Sequence, residues 1–203
     1  MQSDPFLSSH SLSLRKSIRK KLRQLRQNLP PEQQSQLARQ AAQRVIAHPK
    51  VQQADKIALY LSFDGELDTR PLIQQLWQQN KQVYLPILHP FSPHHLLFLR
   101  YQTDTPLIKN HFNIEEPALD IRQVLPISEL DIMFIPLVAF DGTGQRLGMG
   151  GGFYDRTLAK WQQQNFYPIG LAHDFQLVET LPSASWDIPL PEIITPEKTW
   201  LWV

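Results

Sequence analysis

Apolar residues recur at steps of three and four in Leu14, Ile18, Leu22, Leu25 and Leu29, which predicts an amphipathic helix whose other faces are cationic. Pro30-Pro31 ends that helix and starts a second, because proline is tolerated at a first helical position. Leu37, Ala41 and Val45 continue an apolar stripe up to Pro49, so two helices precede the first strand. That strand is expected over 56–63 (KIALYLSF), followed by a turn at Asp64-Gly65 and a helix over 68–80 with Leu72, Ile73, Leu76 and Trp77 facing inward. Further strands are expected at 82–88, 96–101, 131–140 (DIMFIPLVAF), 167–172, 192–195 and 199–203, with a helix over 153–164 carrying Leu158 and Trp161. Residues 102–129 form a proline-interrupted connection, either covering a site or poorly ordered, and residues 1–11 are expected to be a mobile tail.

Alternation of strands with helices predicts an α/β fold: a single three-layer domain over 12–203 with a mostly parallel sheet, helices on both faces and N-terminal helices. Ligands of such sheets bind at the carboxyl ends of the strands. A chain of 203 residues is long enough for one such core. The absence of cysteine excludes disulfides, thiolate metal sites and a cysteine nucleophile, and fits a reducing interior. No apolar run approaches the roughly 20 residues of a membrane span, and the opening residues lack a signal-like apolar segment. A soluble, cytoplasmic protein is expected. Net charge is only +1, but seven of the 20 basic residues lie between residues 14 and 26, so the rest of the chain is acidic.

The chemistry concentrates in residues 145–156 (QRLGMGGGFYDR), between the 131–140 strand and the helix after it. Glycines there tolerate positive φ and let an anion approach the backbone N–H groups closely, which points to phosphate. Arg146 and Arg156 flank the loop with guanidinium groups suited to phosphate oxygens. Asp155 follows, where a carboxylate can hold Mg²⁺ beside phosphates or stabilise the first turn of its helix. The loop is not a standard nucleotide fingerprint: GxxxxGK[ST] is absent, and Phe153 stands where the last glycine of GxGxxG belongs.

RLGMGGGFYDR resembles the signature of the 5-formyltetrahydrofolate cyclo-ligases, usually R-L-G-x-G-x-G-Y-Y-D-R. The basic pair Arg15 and Arg19, the segment LSFDGELDT at 61–69 and FIPLVAFD at 134–141 resemble other parts of the same family, in the same order. The resemblance implies ATP-dependent conversion of 5-formyltetrahydrofolate to 5,10-methenyltetrahydrofolate with release of ADP and phosphate, and Mg²⁺ as cofactor. It implies ATP contacts from Arg15, Lys16, Ser17, Ile18 and Arg19, and from Arg146, Leu147, Gly148, Met149, Gly150, Gly151, Gly152, Phe153 and Tyr154. Arg146 and Tyr154 are the implied catalytic residues. The folate side would comprise Leu61, Glu66 and Phe112, with Met149 to Phe153 bordering the formyl group. Asp155 and Asp187 are the implied metal ligands, although Asp187 could equally cap a turn before Pro189. Two positions depart from the family pattern: Gly151 stands where many relatives carry lysine, and Phe153 replaces a tyrosine, which leaves three alternatives open: slower turnover, a substituting cation such as Lys109, or an altered substrate preference.

His89, His94, His95, His111 and His173 show no metal-ligand spacing and are expected at the surface or in loops. No Gly-x-Ser-x-Gly elbow supports serine hydrolysis. Two other functions compete with the ligase. One is a nucleic-acid-binding module using the basic helix; the other is a sugar-phosphate isomerase or CoA-transferase chemistry on a related scaffold. The ligase reading implies small-molecule substrates, no nucleic acid, no membrane and a monomer.

Overall fold

A computed structural model describes residues 8–202. Helix α1 spans Ser9–Gln27, and the Ser8 side chain caps it by accepting from the Ser11 N–H at 3.1 Å. Ser9 to Ser11 are therefore helical, while residues 1–7 of the expected tail lie outside the described residues. Helices α2 (Pro31–Ile46), α3 (Pro49–Gln53), α4 (Arg70–Gln78) and α5 (Phe153–Leu158) follow; the first three place proline in their opening turn.

The main sheet has eight strands: β1 (Lys56–Ala58), β2 (Gln82–Leu88), β3 (Leu96–Arg100), β4 (Val124–Leu125), β5 (Ile132–Pro136), β6 (Tyr167–Leu171), β7 (Glu192–Ile194) and β8 (Thr199–Leu201). Their spatial order is β8-β7-β6-β5-β1-β2-β3-β4. The inner block from β7 to β2 is parallel, with Ile57 opposite Ile132 and Phe134 opposite Ile169, and antiparallel strands close both edges. Alternate side chains of β5 serve opposite layers, as period-two geometry requires. Ile132 and Phe134 pack with Ala41, Val45, Leu72 and Leu76 of α2 and α4, while Met133 and Ile135 pack with Leu158 of α5. The sheet is thus covered by helices on both faces, as expected.

The strand expected over 56–63 ends at Ala58, and two further elements differ from expectation. The run 131–140 is two strands, because the Pro136 position offers no N–H to continue the ladder and the carbonyls of Leu137 and Val138 accept from the Gln176 side chain at 2.7 and 3.0 Å. Ala139–Asp141 then joins Arg146–Leu147 and Leu177–Val178 in a small three-stranded sheet. The helix expected over 153–164 stops at Leu158, and a 3-10 turn at Trp161–Gln163 replaces its end. Within 102–129, an antiparallel hairpin pairs Leu107–Lys109 with Glu115–Pro117 and covers the site, the first of the two alternatives for this segment.

The face that α1 buries is only partly the expected one, with Ile18 and Leu22 of the apolar stripe covered. Leu22 packs on Val138, Ala139, Leu147 and Leu181, but Leu14 and Leu25 are exposed, whereas Arg15 and Arg26 are buried. The helix is rotated so that arginines point inward. Their charges are met there by Asp187 and Asp64, which offsets the desolvation that burial imposes.

Candidate functional site

A cavity of about 780 Å³ opens at the carboxyl ends of β1, β2 and β5, the position expected for a parallel sheet. One wall is cationic and glycine-rich, with Arg15, Arg19, Arg146 and Gly148 to Gly152. The facing wall is mainly apolar and carries Tyr60, Leu61, Glu66, Pro86 to Leu88, Phe112 and Ile114. Met149, Phe153, Tyr154, Asp155 and Asp187 also line the space. Residues more than 170 positions apart in sequence therefore share one cavity.

Helix geometry explains how α1 serves it. Arg15 and Arg19, four apart, project from one face into the cavity. Arg15 forks onto Asp187 at 2.5 and 2.9 Å and donates to the Pro182 carbonyl at 2.9 Å. Arg19 Nε donates to the Gly148 carbonyl at 2.8 Å; no carboxylate pairs with its guanidinium among the described residues. Burial and the neighbouring Arg15 charge lower the Arg19 pKa from its ordinary value.

Three carbonyls of the glycine loop are engaged by side chains. Gly148 is bonded by Arg19, Gly151 by Arg156 at 3.3 Å, with His94 Nδ1 at 3.1 Å from the same oxygen, and Gly152 by Arg156 at 3.1 Å. Gly150 and Gly152 hold φ of +106° and +69°, backbone conformations that favour glycine. Arg146, buried at the start of the loop, donates to Asp155 Oδ1 at 2.5 Å, and its Nε has no hydrogen-bond partner among the described residues. Burial lowers the Arg146 pKa while Asp155 opposes the change. Burial also pushes the Tyr154 phenol well up, so it stays neutral and can act as a hydrogen-bond donor.

The departures at Gly151 and Phe153 are one structural unit. A Cβ at position 151 would lie 2.8 Å from two ring carbons of Phe153, so the ring takes the space a larger residue would need. Phe153 in turn stands 6.1 Å from the Phe112 ring, edge on, and 5.6 Å from His94. Phe112 is half exposed at the cavity mouth and contacts His111 at 4.0 Å.

Within the apolar wall, Glu66 is largely buried, accepting from the Phe63 N–H at 3.3 Å. Burial raises its pKa to about 7, the Arg26 charge opposes that rise, and Asp64 adds to it. His173 is fully buried rather than at the surface: it stacks on Phe175 and meets the Gly65 carbonyl at 3.3 Å through Nε2. Desolvation lowers its pKa to about 4, so the ring is neutral. The spacing of histidines in the sequence carried no sign of this burial, which follows from the β6 end passing under the Asp64-Gly65 turn.

Four residues assigned to ATP do not reach the cavity wall. Ile18 and Leu147 pack into the cluster around Leu22, and Lys16 and Ser17 are exposed on the outer face of α1. Lys109 is exposed on the hairpin and also lies off the wall. Conversely, Tyr60, Asn110, Ile114 and Trp186 line the cavity without having been singled out. Their sequence neighbours Leu61, Phe112 and Asp187 were the available signal.

The two candidate metal carboxylates differ in fit. Asp155 gives one oxygen to Arg146 and keeps Oδ2 without a protein partner among the described residues, so it fits a metal held mainly by phosphate oxygens. Asp187 spends both oxygens on Arg15 and accepts the Ala184 N–H at 2.7 Å, which makes it a clamp for Arg15 and the cap of its turn. No group of three potential ligands lies together among the described residues.

A cationic, glycine-rich surface and a buried carboxylate in one largely apolar cavity, at the carboxyl ends of a parallel sheet, form the site of an α/β enzyme. A family model described as the 5-formyltetrahydrofolate cyclo-ligase family matches residues 12–196. The chain is 58% identical to the 5-formyltetrahydrofolate cyclo-ligase of Escherichia coli K12 over 89% of this chain and 100% of that protein. It is 56% identical to that of Haemophilus influenzae over 89% and 96%. An Aquifex aeolicus 5,10-methenyltetrahydrofolate synthetase superposes with a TM-score of 0.79 at 30% identity, covering 93% of this chain and 92% of that one. The chain belongs to the 5-formyltetrahydrofolate cyclo-ligase family.

Proposed function

We propose that this cavity carries out the ATP-dependent ring closure of 5-formyltetrahydrofolate to 5,10-methenyltetrahydrofolate, with release of ADP and phosphate. The observation that supports the reading is that Arg146 and the glycine loop line the same cavity as Glu66, Leu61 and Phe112. A formamide carbon is a poor electrophile because nitrogen donates into its carbonyl. The formyl oxygen attacks the γ-phosphorus, the bond to the bridging oxygen breaks, and ADP leaves. N10 then attacks the activated carbon and loses its proton; the ring closes and the carbon–oxygen bond breaks, expelling phosphate.

No covalent bond to the protein is needed, so the chain contributes position and charge. The N–H groups of residues 148–152 and Arg146 hold the triphosphate end. Arg19, paired with no carboxylate among the described residues, adds its outer nitrogens, and the neutral Tyr154 hydroxyl donates to the same group. On the other wall the Glu66 carboxylate accepts from the aminopyrimidine edge, and the exposed Phe112 ring is available for stacking. Mg²⁺, held by Asp155 and phosphate oxygens, would supply charge neutralisation along the phosphates.

The arginines of α1 support an enzyme rather than a nucleic-acid-binding module. Arg15, Arg23 and Arg26 are paired with Asp187 and Asp64, and Arg19 faces the cavity, leaving Lys16, Lys20 and Lys21 exposed. Appearance of the methenyl chromophore from 5-formyltetrahydrofolate, with and without ATP and Mg²⁺, tests the reading. Stoichiometric ADP release separates it from isomerase and CoA-transferase chemistry, and absence of conversion by folded protein would sink it.

Glu66→Gln should raise the KM for the folate by about tenfold while the ATP KM changes by less than about twofold. Because Glu66 titrates near 7, folate affinity in the unaltered protein is expected to fall as pH drops through that value, and the Gln variant to lose this dependence. The same shift lowers stability as pH rises from about 4.5 to about 7, since the folded state there keeps a proton that the unfolded chain has released. Titration calorimetry of each ligand at several pH values checks the division.

A further inference from the structure

Arg26 lies off the cavity wall, yet it touches both halves of the site. It is fully buried in the last turn of α1. Its Nη2 donates to Asp64 Oδ2 at 2.7 Å and lies 4.0 Å from the Met149 sulfur in the glycine loop. Nη1 donates to the Leu137 carbonyl at 3.4 Å and lies 3.8 Å from Glu66 Oε1, while Nε is buried without a hydrogen-bond partner among the described residues. A fully desolvated cation with one close carboxylate is expensive to keep, and that carboxylate is shared with Arg23 and Gln27. The turn carrying Glu66 is pressed onto this residue: Asp64 and Gly65 hold φ of +52° and +74°, and a Cβ at 65 would lie 2.7 Å from the Arg26 carbonyl carbon.

We infer that Arg26 is a positioning residue of the ring closure, holding Glu66 in place as the pterin acceptor and anchoring Met149 beneath the glycine loop. This rests on the assignment of Glu66 to the folate. Several titratable groups face Glu66: Arg26 from α1, Asp64 from the turn, Tyr60 after β1 and Tyr154 from α5, with His173 and Asp68 beyond. Burial keeps both tyrosines protonated and His173 neutral. Around neutral pH the charges acting on Glu66 are therefore Arg26, which favours the carboxylate, and Asp64, which opposes it.

Opposite charges give opposite expectations in the pH profile of kcat/KM for the folate. Arg26→Gln should move the acidic limb to higher pH and raise the folate KM at pH 7 by about fivefold, since a rise of about one unit from about 7 takes the charged fraction at pH 7 from about a half to about a tenth. Asp64→Asn should move the limb to lower pH, since it removes the repelling carboxylate and frees Arg26 for Glu66; asparagine tolerates the positive φ there. The ATP KM should stay within about twofold in both variants. A purely structural Arg26 would lower the thermal midpoint and impair both substrates with the limb unmoved, and that result overturns the inference. If Arg26→Gln does not fold, Asp64→Asn decides alone: a limb that stays or rises sinks the idea. Glu66→Gln measured beside them separates the two layers. A wild-type folate KM and pH profile in that variant would remove the folate assignment itself, whereas impairment there with unmoved limbs in the other two removes only Arg26.

Discussion

Arg146→Ala is expected to lower kcat by about 10²–10³-fold and to raise the KM for ATP, because a preorganised donor at a transferring phosphoryl group acts most strongly where charge develops. The structure sharpens this expectation. Arg146 is 4% exposed, so its charge acts with little solvent screening, and its Nε has no protein partner among the described residues. Its one carboxylate partner among the described residues, Asp155 Oδ1 at 2.5 Å, fixes the guanidinium at the head of the glycine loop. Arg146→Lys should recover part of the rate, since a point charge replaces the fork without its second donor. Steady-state rates of chromophore formation against ATP concentration read both variants, with a thermal melt to confirm folding. An ATP dependence identical to wild type would take Arg146 out of the site.

Gly65→Ala should destabilise the fold by about 2–4 kcal/mol, through a positive φ that alanine resists and a backbone clash that no rotamer relieves. The added Cβ would lie 2.7, 2.8 and 2.9 Å from the carbonyl carbon, oxygen and Cβ of Arg26. Relief requires the Asp64-Gly65 turn to leave α1, and Glu66 to move with it, so folate affinity should fall in the same variant. Gly142→Ala is the control, because a Cβ there meets open space and the change should be close to neutral. Urea midpoints of the two variants make the comparison. Equal midpoints would show that the turn does not pack on α1 as described.

The inner strands and the helices α2 and α4 were legible because their burial is written locally. Val45, Ile73 and Leu76 fall where helical periodicity puts them, and the alternation of Ile132 to Ile135 across two layers follows from strand geometry. The glycine loop was legible for a related reason: positive φ and close approach to backbone select glycine whatever surrounds the loop. Helix α1 was read only in part: Ile18 and Leu22 of its apolar stripe are covered, but periodicity does not say that Arg15 and Arg26 are covered with them while Leu14 and Leu25 are not. Asp64, Asp187 and Glu66 decide that, and they arrive from 38, 172 and 40 residues away in sequence.

By itself, then, the chain's sequence determined the α/β class, the parallel order implied by its helix-strand alternation, the phosphate-seeking loop and the family resemblance. Those features rest on short-range periodicity and on residues whose backbone demands are local. Only the tertiary structure decided that Arg15 and Arg26 turn inward, that His173 is neutral and buried, that Phe153 fills the space beside Gly151, and that Glu66 titrates near 7. Each of these depends on desolvation and on charges brought together by folding, and neither quantity exists until distant segments share one interior.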